Sequence, residues 1–159
     1  MAFTLTSNDI RDGGVLPDAQ VKAKGDLSPH LAWSGAPEGT RSYAVTCYDP
    51  DAPTGSGFWH WTVANIPSDV TELAAGAGSP GGDLPKGAVQ GRTDYGQAGF
   101  GGAAPPPGHG PHRYIFTVFA VDTERLDVTA DDSGAVFGFN LHFHTLAKAS
   151  ITATYENKG

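Results

Sequence analysis

Three polar groupings interrupt otherwise apolar stretches of this chain, and their residue types suit the capture of an anion. Asp49-Pro50-Asp51-Ala52-Pro53 sets two carboxylates on a turn stiffened by two prolines, so their directions are held at little extra entropic cost. His60 stands between Trp59 and Trp61. Gly108-His109-Gly110-Pro111-His112-Arg113-Tyr114 is a glycine-proline loop running into a strand-like stretch. Imidazole N–H groups and the backbone N–H groups of a glycine-rich loop can converge on an anion. A neighbouring carboxylate that accepts from the other imidazole nitrogen fixes the tautomer, and Tyr114 adds a hydroxyl donor. Together they would form a small oxyanion pocket for phosphate, a phosphoryl headgroup, sulfate or carboxylate.

Each piece also has a plainer reading. Asp-Pro is common in turns, so Asp49 and Asp51 can be turn formers only. His60 can be a satisfied core histidine. His109, among glycines, is expected to be exposed. Strand alternation puts Arg113 opposite to His112 and Tyr114, which leaves it to solvent or a salt bridge. Asp94 and Tyr95 fit ordinary turn chemistry. His142 and His144 are two apart and cannot share one helical face, so they are read as structural. Cys47 is the only cysteine; no internal disulfide can form, and its apolar surroundings make it a small core residue.

The elements that must position these groups are mostly strands. With 159 residues, 39% of them hydrophobic, the chain suits one domain over residues 1–159 with one core. Gly (22) and Pro (12) are abundant and Thr and Val recur in short clusters, which favours short strands joined by many turns. Alternation predicts strands over 3–7, 42–48 (SYAVTCY), 58–66 (FWHWTVANI) and 112–121 (HRYIFTVFAV), with a final short strand over 151–155. Residues 28–33 form an extended piece carrying Trp33. Asp131-Asp132-Ser133 is a cap for a helix covering roughly 134–148. Residues 74–110 are the longest irregular region, and loops of this length are usually functional or mobile.

The net charge of −7, from 17 acidic and 10 basic residues, would repel nucleic acid and an anionic membrane surface at long range. Neither is expected as a general partner. No stretch approaches the ~18 apolar residues of a membrane-spanning helix, and the first residues lack a basic segment followed by an apolar run. A cytoplasmic location without stable membrane insertion is the expectation.

These motifs, taken in order, resemble the phosphatidylethanolamine-binding protein family, which includes Raf kinase inhibitor proteins, plant flowering-time regulators and carboxypeptidase Y inhibitor. They are Ser28-Pro29 through Trp33, Tyr48-Asp49-Pro50-Asp51-Ala52-Pro53, Trp59-His60-Trp61 through Asn65-Ile66-Pro67, and Pro106-Pro107-Gly108-His109-Gly110-Pro111-His112-Arg113-Tyr114. Each is weak alone, but four in order over one domain are specific. The chain looks closest to the bacterial, Raf-kinase-inhibitor-like branch. The resemblance implies a mainly β fold, an antiparallel β-sandwich with few short helices, one of them near the C-terminus. It also implies a surface pocket for phosphate-like anions. By motif, Asp49 and Asp51 match the pocket's two aspartates, Pro53 the proline at its rim, His60 and His112 its two histidines, and Tyr114 its tyrosine. Gly108 and Gly110 match the glycines of the adjacent loop. Eukaryotic members carry a longer C-terminal region bordering the pocket; here the expectation is a wall built differently or left open. Members of the bacterial branch look like dimers, so a homodimer is a candidate assembly.

The function expected is a non-catalytic, regulatory or inhibitory protein that binds a small anionic or phosphoryl ligand, without a cofactor. No serine sits in a nucleophile-elbow pattern and the lone Cys47 lies mid-strand. Two alternatives stay open. Two His and two Asp could ligate the metal of a metal-dependent enzyme, although no helical His-Glu-x-x-His motif occurs. Residues 74–104 could form the surface loop of a kinase or protease inhibitor.

Overall fold

A computed structural model describes residues 2–159. Eight strands form two antiparallel sheets. The smaller contains β1 (Thr4–Thr6), β2 (Leu31–Ser34) and β5 (Glu72–Leu73) in the order β1-β2-β5. The larger contains β3 (Ser42–Asp49), β4 (Phe58–Pro67), β6 (Val89–Gln90), β7 (His112–Val121) and β8 (Thr145–Tyr155) in the order β6-β4-β3-β7-β8. The mainly β expectation holds, and the strands read from the sequence supply the centre of the larger sheet.

The core lies between the sheets. Leu5, Leu31, Trp33 and Leu73 from the small sheet meet Tyr43, Val45, Cys47, Trp61, Val63, Phe116 and Val118 from the large one. Alternation along β3 sends Ala44 the other way, into a second cluster with Ala64, Val121, Phe137 and Leu141 beneath the helix. Central strands are therefore buried on both faces at this end, which explains their near-continuous apolar runs.

The helix α1 spans Gly134–His144. Ser133 caps it, its side chain accepting from the Val136 N–H at 3.4 Å. Gly134 is fitted to its place: a Cβ there would collide with the Trp59 ring. The helix ends four residues before the sequence suggested, and the last strand starts six residues earlier, because Thr145 to Ala149 pair with β7. The Thr145 hydroxyl closes the helix by donating to the Leu141 carbonyl at 2.6 Å. Residues 74–110 contain only the two-residue β6.

Candidate functional site

The site sits at one end of three neighbouring strands, β4, β3 and β7. Asp49 ends β3, His112 begins β7, and His60 lies near the start of β4. Cys47 pairs with Trp61 and Tyr48 with Trp59, so His60 is the unpaired residue of a bulge. Bulges re-aim side chains, and here the ring is turned out of the ladder. The loop following β6 staples this bulge. Gly101 donates its N–H to the His60 carbonyl at 2.9 Å, and the Gly101 carbonyl lies 2.8 Å from His60 Nδ1. One residue earlier, the Asp94 carboxylate accepts the Trp59 N–H at 2.8 Å, and the Asp94 N–H goes to the Trp59 carbonyl. A loop read as ordinary turn chemistry thus fixes the edge of β4.

Asp49 is 2% exposed and its two oxygens have separate tasks. Oδ1 accepts the Asp51 N–H at 2.7 Å, a turn closed by its own side chain. Oδ2 lies 2.7 Å from Nδ1 of His112, itself 1% exposed. A buried carboxylate accepts only, so Nδ1 carries the proton and Nε2 becomes the working nitrogen. That Nε2 lies 2.7 Å from Nδ1 of His109, whose ring is otherwise exposed.

The second aspartate turns away from this chain of rings. Asp51 accepts the backbone N–H of Arg113 at 2.8 Å and its guanidinium at 2.9 and 3.0 Å. Arg113 faces opposite to His112, as alternation predicted, and the salt bridge is its partner. The guanidinium fork draws the Asp51 carboxyl down to about 2.

A cavity of about 250 Å³ opens over these groups, lined by Asp49, His60, His112 and Tyr114 with Ala52, Pro53, Thr54, Phe58, Tyr95 and the segment 104–106. Its volume is below the range of drug-sized sites, so it suits a small headgroup. Of the residues singled out from the sequence, Asp49, Pro53, His60, His112 and Tyr114 line it together, whereas Asp51, Gly108 and Gly110 do not. Gly108 and Gly110 have φ of 74° and 90°, with open space where a Cβ would stand. Left-handed backbone by itself accounts for glycine at both positions. The amides of Gly101, Gly102 and Gly108 are already donated to His60, Asp26 and Asn157. Side chains are therefore the cavity's main polar groups. Tyr95, read from the sequence as ordinary turn chemistry, lines the cavity instead. Its ring packs on Phe58 and His60 at centroid distances of 4.7 and 5.6 Å, and its hydroxyl donates to the Gly102 carbonyl. No local signal in its turn-forming surroundings marks it.

Burial pushes the phenols of Tyr114 and Tyr95 upward, so both stay protonated donors. Burial also pushes the Cys47 thiol well up and keeps it an inert core residue. His60 is lowered by burial, against the pull of the Gly101 carbonyl. It is neutral near pH 7, with its proton on Nδ1 and a lone pair on Nε2. His142 is exposed, and His144 bonds Asp122 at 2.8 Å, well away from the cavity. Among the described residues, no group of three or more His, Cys, Asp or Glu side chains is placed to hold a metal ion. No helix among them is long and apolar enough to cross a membrane.

Comparison with known proteins agrees with this architecture. The model of the phosphatidylethanolamine-binding protein family matches residues 6–156. The UPF0098 protein YbhB of Escherichia coli is 57% identical over 156 residues, covering 95% of this chain and 98% of that protein. The crystal structure of E. coli YbcL, described as a new member of the mammalian PEBP family, superposes with a TM-score of 0.94. It has 54% identity, over 97% of this chain and 98% of that one. A PEBP homologue from Chlamydia trachomatis gives a TM-score of 0.84 at 28% identity, covering 98% of each chain. By sequence, by fold and by the order of its motifs, this chain belongs to the phosphatidylethanolamine-binding protein family.

Proposed function

We propose that this chain is a non-catalytic binding protein that captures a small phosphoryl or other anionic group in the cavity over Asp49, His60 and His112, and that capture serves regulation or inhibition of a partner. The observation that carries this reading is the pairing of two imidazoles at one small cavity. One is anchored to a buried carboxylate; the other has its Nδ1 fixed by a carbonyl and no protein partner for Nε2 among the described residues. The Tyr114 hydroxyl, held protonated, adds a donor. No activated nucleophile accompanies them: the Thr54 hydroxyl is given to the Gly57 carbonyl and Cys47 is buried in the core.

Capture of an anion here requires a proton. His60 as it stands presents a lone pair, which repels an oxyanion, and Asp49 adds negative charge nearby. An imidazolium reverses this, donating a charge-assisted hydrogen bond. Titration of the histidine ring signals by NMR with inorganic phosphate and phosphorylethanolamine tests the reading. Saturable shifts of the His60 and His112 rings are expected. The affinity should fall roughly tenfold or more in His60→Ala, since one charge-assisted bond is worth about 1.5–3 kcal/mol. A His60→Ala protein that binds as tightly as the parent refutes it.

A further inference from the structure

His109 lies outside the residues assigned to the cavity, yet it holds the one nitrogen of His112 that a ligand could use. His112 Nδ1 is committed to Asp49 at 2.7 Å, and its Nε2 meets His109 Nδ1 at 2.7 Å. The rings are edge to face, 4.9 Å apart at an interplanar angle of 64°. Because His112 carries its proton on Nδ1, the bond between the rings is donated by His109 Nδ1 to His112 Nε2. Any group that binds His112 from the cavity must first displace this donor.

The loop is built to present that ring and to release it. Gly108 and Gly110, both in left-handed conformation, flank His109. The backbone is tied by Gly108 N–H to the Asn157 carbonyl at 2.9 Å and by His109 N–H to the Pro106 carbonyl at 3.2 Å. Pro105, Pro106, Pro107 and Pro111 stiffen the chain on both sides. The His109 ring itself is exposed, and no other protein group bonds to it among the described residues. Rotation about its side-chain torsions alone uncovers His112, with no rearrangement of the fold.

We propose that His109 is a specificity-determining residue that competes with the ligand for His112 Nε2, and that this competition sets which groups enter. This deepens the anion reading and rests on it. The ligand class follows from the exchange: a His112 Nε2 that accepts from His109 can take in its place only another donor. The favoured occupant is an acid that brings a proton, such as the hydrogenphosphate of a phosphoryl monoester. Sulfate, which brings none near neutral pH, is disfavoured.

Phosphate and sulfate titrations followed by the ring ¹⁵N signals test this on the parent, His109→Ala and His109→Gln. In the parent, saturating phosphate should move the His109 signals to those of a free imidazole. Loss of the competing bond in His109→Ala should tighten phosphate binding roughly threefold to tenfold, the range of one neutral hydrogen bond. The sulfate affinity should rise by a smaller factor. His109→Gln keeps an N–H donor at the same reach and should stay near the parent. Equal phosphate affinity in the parent and His109→Ala, with the His60 and His112 signals still shifting, overturns the competition and leaves the anion reading standing. Weaker binding in His109→Ala overturns it too, by making the ring a ligand contact. No shift in any of the three proteins overturns both.

Discussion

Replacing Asp49 by asparagine changes the site's electrostatics with almost no change of shape, and the structure fixes the sign of the result. The carboxylate accepts two bonds at 2.7 Å, one from the Asp51 N–H and one from His112 Nδ1. Asparagine brings one acceptor and one donor, so its amide N–H₂ must face one of those donors. The backbone N–H cannot yield. The imidazole can, by moving its proton to Nε2, where it meets His109. Asp49→Asn should therefore keep the turn, flip the His112 tautomer and force His109 to turn away or exchange its own proton. Charge-assisted bonds worth about 1.5–3 kcal/mol become neutral ones worth about 0.5–1.5 kcal/mol. Relief of the carboxylate's desolvation, large for a group only 2% exposed, opposes part of that loss. A net destabilisation of about 1–2 kcal/mol results, or a fall in Tm of roughly 2–8 °C for a chain of 159 residues. Urea and thermal denaturation give the energy, and ring ¹⁵N shifts give the tautomer. A variant as stable as the parent, with the His112 proton still on Nδ1, would refute the assignment of Asp49 as the group that orients the ring.

Two pH dependences follow from the same geometry. Anion affinity should rise as pH falls from about 8 to about 6, because burial lowers His60 in the free protein and the bound anion must restore its proton. Sulfate, of constant charge in that window, gives the clean slope, and His60→Ala should flatten it. Folding stability should show a second, acid dependence through Asp51. Its carboxyl lies at about 2 in the fold against an ordinary value of 3.8, so its contribution is complete above 3.8 and is lost as pH falls toward 2. Urea midpoints in that range should lose this component in Asp51→Asn, and an unchanged acid slope there would remove Arg113 as the cause of the shift.

The fold was legible where burial imposes a period. Apolar stretches with alternating faces mark β3 over 42–48 and β7 over 112–121, and the structure begins and ends β7 at those residues and carries β3 one residue further, to Asp49. Legibility failed where long-range pairing decided the outcome. Capping and composition carry the helix reading on to 148, and only the register of Thr145 to Lys148 with β7 ends the helix at His144. In the site, Asp49, His60, His112 and Tyr114 could be named because polar residues at the ends of apolar strands stand out. The bulge at His60 could not, since an extra residue leaves no mark on composition. Gly108 and Gly110 mislead for a related reason: a glycine needed for positive φ looks the same in sequence as one needed to admit a ligand.

The adjacency of His112 and Arg113 separates the rigid from the adjustable parts of this site. Strand alternation sends the two side chains to opposite faces, and each grips one aspartate of the same turn. Asp49 Oδ1 in turn accepts the Asp51 backbone N–H at 2.7 Å. The start of β7 and the end of β3 are therefore cross-braced on both faces, and neither His112 nor Asp49 can follow a ligand without breaking several bonds at once. His60 is held in the same way by reciprocal bonds with Gly101. Adjustment is left to protons and to the exposed His109 ring. A preorganised site of this kind gains affinity by avoiding reorganisation, so its selectivity should reside in the proton inventory of three imidazoles more than in a change of cavity shape.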